Sequence, residues 1–366
     1  MENKQIDLEN SLKEALDNNT EIKVLRGTPK YFSRVPESRK ISDNDFIYLA
    51  LLYQYTGCPH QCLKCFNSDN LPIKSFNPEY LSLNRRKLLI DEAKDMGGKV
   101  IIFAGLAEPL IHMHSAPLIE YARKKEMISI VYSSGFELDN DMINFLKDNL
   151  AVVAMSFDSL DSYKYSIMAK PKSRMYPSEY HKKILKNLEN CIYKYKPIIN
   201  YKNNTKIVST AIITTLCKMN ENEIQKIKAH FGDDTYFVCN PLAYEGGAIR
   251  NWPILMDDLK PNPEHHMEII KTFSESGGPL TFFNEKCGYS YHGLAIYPEG
   301  TYSTCAYTDK TNGLLGNIKN CSLKEAWDNK HKKESSHYKK FDNVPCLIRS
   351  KNFEEYLDSL GGGEIK

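Results

Sequence analysis

Three cysteines, Cys58, Cys62 and Cys65, lie within eight residues of one another and are separated by three and two residues. Thiolates this close on one short loop can converge on a single metal centre. Zinc sites are usually built from pairs of Cys-x2-Cys or are completed by histidines, and no fourth cysteine follows here at a matching spacing. Three cysteines on one loop are typical of an iron–sulfur cluster that keeps one iron open. A zinc-binding loop or chance spacing is the alternative interpretation.

The composition favours a reducing environment for these thiols. The chain has ten cysteines in 366 residues, and residues 1–19 are polar without the apolar segment of a signal peptide. No apolar run approaches the roughly 18 residues of a membrane-spanning helix. We therefore expect a cytoplasmic protein without membrane contact, in which metal binding or catalysis explains the cysteines better than disulfides do. The formal net charge of +2 gives no basic field, so no nucleic-acid partner is expected.

Six apolar runs of β type alternate with helical patterns in the first two thirds of the chain. Strands are predicted over residues 46–53, 100–104, 128–132, 152–157, 207–214 and 235–239, and helices over 81–95, 116–125, 141–148, 178–193 and 221–230. Continuous apolar strands between helices predict a parallel sheet covered by helices, either a partial barrel or an open α/β sheet. In both, chemistry is expected at the carboxyl ends of the strands.

The pattern changes after Trp252. A loop over 253–263 and a linker helix over 265–274 lead to a predicted hairpin, with strands over 294–298 and 301–306 joined at Glu299–Gly300, and then to a helix over 323–329. The chain is therefore divided into an N-terminal extension (1–45), a strand–helix core (46–252) and a C-terminal hairpin domain (253–366).

The cysteine segment after the first strand resembles the Cys-x3-Cys-x2-Cys signature of the radical SAM superfamily. The resemblance implies an α/β fold with a partial (β/α)6 barrel of the TIM type, and a [4Fe–4S] cluster on Cys58, Cys62 and Cys65 that binds S-adenosylmethionine. It also implies a flavodoxin- or ferredoxin-type electron donor, and a 5′-deoxyadenosyl radical that abstracts a substrate hydrogen. Lys64 stands where the family often has an aromatic residue near the adenine, so Phe66 becomes the candidate adenine contact.

Several strand ends carry further segments of the same family. Residues 103–110 resemble its Gly-x-Gly-Glu-Pro segment, which makes Gly105 and Glu108 candidate contacts of the methionine end of S-adenosylmethionine. Physically, a carboxylate and exposed backbone at a strand end can take the ammonium of an amino acid. Residues 132–135 stand where the family often has a Thr-Asn-Gly turn. Each segment can also be an ordinary strand-to-helix turn.

Three polar residues at later strand ends complete this set. Ser156 and Asp158 match the family's Ser-x-Asp segment near the ribose or the substrate, and Asn240 follows the sixth predicted strand as a candidate adenosine or substrate contact. Cys217 and Cys239 also lie at strand ends, where a thiol can donate a hydrogen atom to a product radical, as in radical SAM epimerases. Burial in the core is the alternative interpretation of both thiols.

A second group of cysteines lies near the C-terminus. Cys287, Gly300 and Cys305 resemble the opening of SPASM and twitch domains, in which a hairpin holds an auxiliary iron–sulfur cluster. The resemblance implies a second [4Fe–4S] cluster with Cys346 as a third ligand. The fourth ligand of this cluster is left open between Cys321, a non-cysteine residue and bound substrate. A hairpin with buried thiols is the alternative.

These features predict a radical SAM enzyme of oxidoreductase or isomerase type. The resemblance implies maturation of a ribosomal peptide by crosslinking or epimerisation, or oxidation or epimerisation of a small aminocyclitol or sugar. A peptide is preferred because it is the commoner substrate of the SPASM and twitch group. The hypothesis from another class is a non-catalytic iron–sulfur or zinc module, which explains the cysteines but not Glu108 and Asp158 at the strand ends.

Overall fold

A nine-stranded sheet organises the part of the chain that the structure describes. The computed structural model describes residues 46–53, 58–65, 81–196, 198–200, 205–207, 209–242, 246–256, 293–304 and 314–337. The strands are β1 (Tyr48–Tyr53), β2 (Val100–Gly105), β3 (Ile128–Ser133), β4 (Val152–Ser156), β5 (Ile198–Asn200), β6 (Thr205–Ile207), β7 (Thr210–Leu216), β8 (Tyr236–Pro241), β9 (Gly293–Ile296), β10 (Thr301–Ser303) and β11 (Leu314–Asn317).

Eight α-helices are described within these ranges. They are α1 (Leu83–Asp95), α2 (Ser115–Lys124), α3 (Asn140–Asp148), α4 (Ser162–Ala169), α5 (Pro177–Lys194), α6 (Ile224–Phe231), α7 (Gly247–Met256) and α8 (Leu323–His337). A short 3-10 helix, Pro109–Ile111, follows β2. None of the described helices is both long and apolar enough to cross a membrane.

The sheet order is β11-β10-β9-β1-β2-β3-β4-β7-β8, and the six strands β1, β2, β3, β4, β7 and β8 are parallel to their neighbours. The predicted parallel α/β core is therefore confirmed. Each connection from β1 to β8 runs through at least one helix, and the connection from β4 to β7 also includes the small antiparallel pair β5–β6.

Alternate residues of β1 show how the core is layered. Leu49, Leu51 and Tyr53 pack in the large cluster with the helices, whereas Ala50 and Leu52 pack in a smaller cluster of strand and loop residues. Because successive strand residues point to opposite faces, the helices cover one face and described strand residues bury the other. This is the arrangement of a curved, partly closed barrel.

The structure departs from the predicted elements at three places. Ile207 belongs to the β5–β6 pair, and the parallel strand predicted over 207–214 begins only at Thr210. Helix α4 was not predicted. Residues 253–256 continue α7 despite Pro253, so the loop predicted over 253–263 does not begin at 253 and the predicted boundary at 252/253 falls inside a helix.

The C-terminal hairpin adjoins the parallel core. Strand β9 pairs in parallel with β1, with Tyr48 opposite Gly293, and β10 then pairs antiparallel with both β9 and β11. The antiparallel strands fit the predicted small hairpin domain. The N-terminal extension and the linker helix predicted over 265–274 lie outside the described residues.

Candidate active site

Residues 58–65, named here the cysteine loop, follow β1 at the carboxyl edge of the parallel sheet. The backbone N–H of Gln61 donates to the carbonyls of Ala169 and Lys170 at 3.1 and 3.0 Å, and the N–H of Leu63 donates to the carbonyl of Met168 at 2.9 Å. The last turn of α4 therefore holds one side of the loop. The sequence feature that could have revealed α4 is Asp161, whose carboxylate caps the helix by accepting from the N–H groups of Tyr163 and Lys164.

The start of α7 holds the other side of the cysteine loop. The N–H of Gly247 donates to the carbonyl of Cys65 at 2.6 Å, and the side-chain amide of Asn251 donates to the carbonyl of Leu63 at 3.1 Å. A Cβ on Gly247 would lie 2.8 Å from the Cys65 carbonyl oxygen and 3.0 Å from that of Leu63. Glycine is therefore required for this close approach. Because Gly247 and Asn251 lie more than 180 residues after the cysteine loop in the chain, no local sequence pattern indicated these contacts.

Gly247→Ala is expected to displace the cysteine loop, because the atoms that its Cβ meets are backbone oxygens that cannot rotate away. Overpacking of this kind costs about 1–3 kcal/mol, which corresponds to about fivefold to 150-fold weaker binding of S-adenosylmethionine by the reconstituted protein. Equilibrium dialysis with the labelled compound measures this. Ile249→Ala, a change in the same helix turn at a side chain 47% exposed, is the matched control. Equal affinities in both variants would contradict the packing argument.

His60 fastens the cysteine loop to the helices behind it. Its buried ring places Nε2 3.0 Å from the Tyr180 hydroxyl and 3.3 Å from that of Tyr165. Burial lowers the pKa of His60 to about 4, helped by the positive charges of Lys172 and Lys64, so the ring is neutral near pH 7. Apart from the position of His60 inside the loop, no feature of the sequence indicated this role.

Glu108 lies where β2 ends, close to the end of β3. Its Oε2 accepts from the backbone N–H of Ser134 at 2.7 Å and from the Ser134 hydroxyl at 2.6 Å. Burial raises the pKa of Glu108, although the hydrogen bonds from Ser134 and Ser133 oppose that rise. The negative charge of Glu108 also contributes to raising the pKa of the Cys58 thiol in the cysteine loop.

The backbone before Glu108 is closely packed. A Cβ on Gly105 would lie 2.6 Å from the carbonyl oxygen of Tyr53, at the end of β1, and 2.8 Å from that of Ala107. Glycine at 105 thus keeps β1 and the turn that carries Glu108 together at the sheet edge. The sequence grouped Gly105 and Glu108, and the structure brings both to the cysteine loop's end of the sheet.

Asp158 follows β4 and reaches across to two other elements. Its Oδ1 accepts from the Lys64 ammonium at 2.5 Å and from the backbone N–H of Thr215 at 2.9 Å, while Lys64 also donates to the Thr215 hydroxyl at 2.9 Å. Thr215 on β7 pairs in register with Asn240 on β8. Ser156, the last residue of β4, is partly buried. The structure therefore gathers these predicted residues at one edge of the sheet.

Two residues after β7 fix the backbone around Asp158, and the sequence did not single out either. The Asn220 side chain donates to the carbonyls of Asp158 and Thr215 at 2.9 and 3.0 Å. Glu223 accepts from the Ser159 hydroxyl at 2.7 Å and from the Lys164 ammonium at 2.6 Å. Although burial opposes ionisation of Glu223, these hydrogen bonds outweigh it and lower the pKa of the carboxyl.

Two family models cover much of the chain. The model of the radical SAM superfamily matches residues 52–230, and that of the SPASM iron–sulfur cluster-binding domain matches residues 287–354. The chain belongs to the radical SAM superfamily. The first match begins in β1, includes the cysteine loop, Glu108 and Asp158, and ends in α6. A [4Fe–4S] cluster and S-adenosylmethionine are the cofactors that a radical SAM domain implies, and a SPASM domain implies further iron–sulfur cluster binding.

Several known proteins resemble the chain in part. Fe-coproporphyrin III synthase of Methanosarcina barkeri is 32% identical over 104 residues, which are 28% of this chain and 25% of that protein. SuiB of Streptococcus suis, solved with its precursor peptide SuiA, has a TM-score of 0.56 at 12% identity over 77% of this chain and 65% of SuiB. Native anSMEcpe with bound AdoMet has a TM-score of 0.57 at 14% identity, over 86% of this chain and 96% of that one.

These likenesses differ in what they support. The chain spans a quarter of the length of the curated relative and 65% of SuiB. At 12% and 14% identity, SuiB and anSMEcpe show that the radical SAM fold is shared. The parallel core and the C-terminal antiparallel strands agree with that fold.

The donors of the cysteine loop fit a radical SAM cluster. Burial raises the pKa of Cys58 to about 11, and burial together with the charges of Cys65 and Cys58 raises the pKa of Cys62 well above its ordinary value. A thiol in such a place becomes a thiolate only beside a cation, and coordinated iron provides one. Within the described ranges no three His, Cys, Asp or Glu side chains surround a single-ion position, whereas thiolates of a cluster bind different irons.

The remaining predicted site residues are two buried thiols, one partly exposed cysteine and four residues outside the described ranges. Cys217 and Cys239 are both buried in the large core cluster, and burial raises the pKa of Cys217 to about 12. Their role as hydrogen donors stays a prediction, and the burial of both thiols does not support it. Cys321 is partly exposed just before α8, next to Gly316 of β11. Phe66, Cys287, Cys305 and Cys346 lie outside the described residues, so the ligand set of the auxiliary cluster stays a prediction.

Proposed function

We propose that the protein is a radical SAM enzyme that modifies a peptide, by crosslinking or epimerisation, and so acts as an oxidoreductase or an isomerase. The observation that carries the enzymatic part is the convergence of the cysteine loop, Glu108 and Asp158 at the carboxyl edge of one parallel sheet. When bound, the cluster and S-adenosylmethionine supply one-electron chemistry that removes a hydrogen atom from a substrate. A non-catalytic iron–sulfur or zinc module does not explain the buried Glu108 carboxylate at this edge.

The chain's own residues have distinct proposed tasks. Glu108 accepts the ammonium of S-adenosylmethionine beside the backbone at Gly105, because a buried carboxylate gains most from a cationic partner. Ser156 and Asn240 lie at the next strand ends as contacts of the adenosine or the substrate. Electrons come from a flavodoxin- or ferredoxin-type donor. The cytoplasm is the proposed location, because its redox poise keeps thiols such as those of the cysteine loop reduced.

A peptide is the preferred substrate because SuiB, whose fold the chain shares, was solved with a precursor peptide. One observation favours a small molecule instead. The curated relative is named for Fe-coproporphyrin III, which is not a peptide. Oxidation or epimerisation of a small natural-product intermediate, such as an aminocyclitol or sugar, is therefore the second candidate.

The test of this proposal measures 5′-deoxyadenosine formed by anaerobically reconstituted protein with dithionite and S-adenosylmethionine. Synthetic peptides translated from short reading frames beside the gene are compared with a panel of aminocyclitols and sugars. We expect a peptide to raise product formation severalfold and to lose two hydrogens, or to take up one solvent deuterium, by mass spectrometry. Reactions without S-adenosylmethionine are the control.

The other outcomes are equally specific. Stimulation by an aminocyclitol or sugar alone would replace the peptide with the second candidate. Absence of 5′-deoxyadenosine from protein that holds its full iron content would contradict an enzymatic role and favour a binding module.

A further inference from the structure

Lys64 is a largely buried ammonium inside the cysteine loop, at the position where the radical SAM signature often has an aromatic residue. Its side chain is 12% exposed and that of its partner Asp158 is 7% exposed. The two groups lie 2.5 Å apart although they are 94 residues apart in the chain. A buried charge must be paired, so this contact is a built part of the site and not a surface ion pair.

The acceptor side of this pair is fixed independently of Lys64. Asp158 Oδ1 accepts from the Thr215 N–H at 2.9 Å, and Asn220 holds the carbonyls of both residues. Glu223 fixes the next turn through Ser159. Lys64 therefore approaches a preorganised carboxylate and hydroxyl, and its side chain ties the cysteine loop to the ends of β4 and β7.

The pair lies beside two of the cluster ligands. Lys64 follows Cys62 by two residues and directly precedes Cys65, and its ammonium is held in the site by the Asp158 carboxylate and the Thr215 hydroxyl. In a buried site charges interact strongly because little water screens them. The net charge and hydrogen bonds around an iron–sulfur cluster set its reduction potential.

We propose that Lys64 and Asp158 form a positioning pair that sets the reduction potential of the cluster on the cysteine loop. Lys64 stabilises the additional negative charge that one-electron reduction brings to the cluster, and Asp158 opposes this effect while holding the ammonium in place. The electron comes from the external reductant, and no bond forms or breaks within the pair. The inference rests on the cluster that the radical SAM domain implies and is independent of the substrate.

The experiment titrates the reconstituted holoprotein with dithionite and redox mediators, without substrate, and follows the reduced cluster by electron paramagnetic resonance. The relevant signal is the one that Cys58/Cys62/Cys65→Ala lacks. Lys64→Met is expected to shift the potential to more negative values, and Asp158→Asn to more positive values. Lys64→Arg, which keeps the charge, is expected to leave it near wild type. The double variant Lys64→Met/Asp158→Asn is expected to shift it less than either single change.

Shifts of the potential in the same direction in both single variants, or no shift in either at full iron content, would overturn the proposal. A merely structural role would not make the loss of a positive charge and the loss of a negative charge shift the potential in opposite directions. If Lys64→Met does not retain the cluster, Asp158→Asn and Lys64→Arg still decide the question. A more positive potential in the first and an unchanged one in the second support the proposal. An unchanged or more negative potential in Asp158→Asn refutes it.

Discussion

Replacing Cys58, Cys62 and Cys65 together by alanine is expected to abolish 5′-deoxyadenosine formation and to remove about four of about eight iron atoms per chain, four for each [4Fe–4S] cluster. The three thiols share one loop that α4 and α7 hold in place, and the triple replacement removes all three predicted ligands of the cluster at once. Iron and acid-labile sulfide are measured after anaerobic reconstitution, followed by the cleavage assay with dithionite.

Cys191→Ala is the matched control, because Cys191 is fully buried in α5 and belongs to the large core cluster. We expect its iron content and product formation to stay at the wild-type values. Only four irons in the wild-type protein would contradict the predicted auxiliary cluster. Bound zinc without formation of 5′-deoxyadenosine would contradict the enzymatic interpretation.

The parallel core could be predicted because its strands are buried on both faces. All six residues of β1 are buried, so its sequence is a continuous apolar run. A strand with one face in water would alternate apolar and polar residues instead. Helix α3 could be predicted for a similar reason. Ile143 and Leu146 lie on its buried face, and the Asp139 side chain caps its first turn. The cysteine loop was identified by spacing alone, because metal ligands on one loop are local in sequence.

The contacts that hold the cysteine loop could not be predicted, because they join distant segments. Lys64 meets Asp158 across 94 residues, and Asn251 meets Leu63 across 188. Nothing local marks such pairs, since an isolated lysine or asparagine is ordinary on a surface. The position of β9 beside β1 is a similar case. Its short apolar run predicts a strand but does not say which strand will be its neighbour.

Glu108→Gln is expected to weaken binding of S-adenosylmethionine by about 30-fold or more while leaving the iron content near wild type. Removing one partner of a buried, hydrogen-bonded charge pair costs about 2 kcal/mol or more. Glutamine keeps the size of the side chain but cannot neutralise an ammonium. Affinity is measured by equilibrium dialysis on the reconstituted protein. Glu120→Gln, at an exposed glutamate of α2, is the matched control and is expected to bind normally.

The pH dependence of this affinity provides a second test of the same carboxylate. Burial raises the pKa of Glu108, so protonation begins at a higher pH than for an exposed glutamate. Because the carboxylate is the binding form, affinity for S-adenosylmethionine is expected to fall in the wild-type protein as the pH is lowered towards that raised pKa. Glu108→Gln has no proton to gain and should lose this dependence. A variant that kept the wild-type pH profile would show that another group, not Glu108, receives the ammonium.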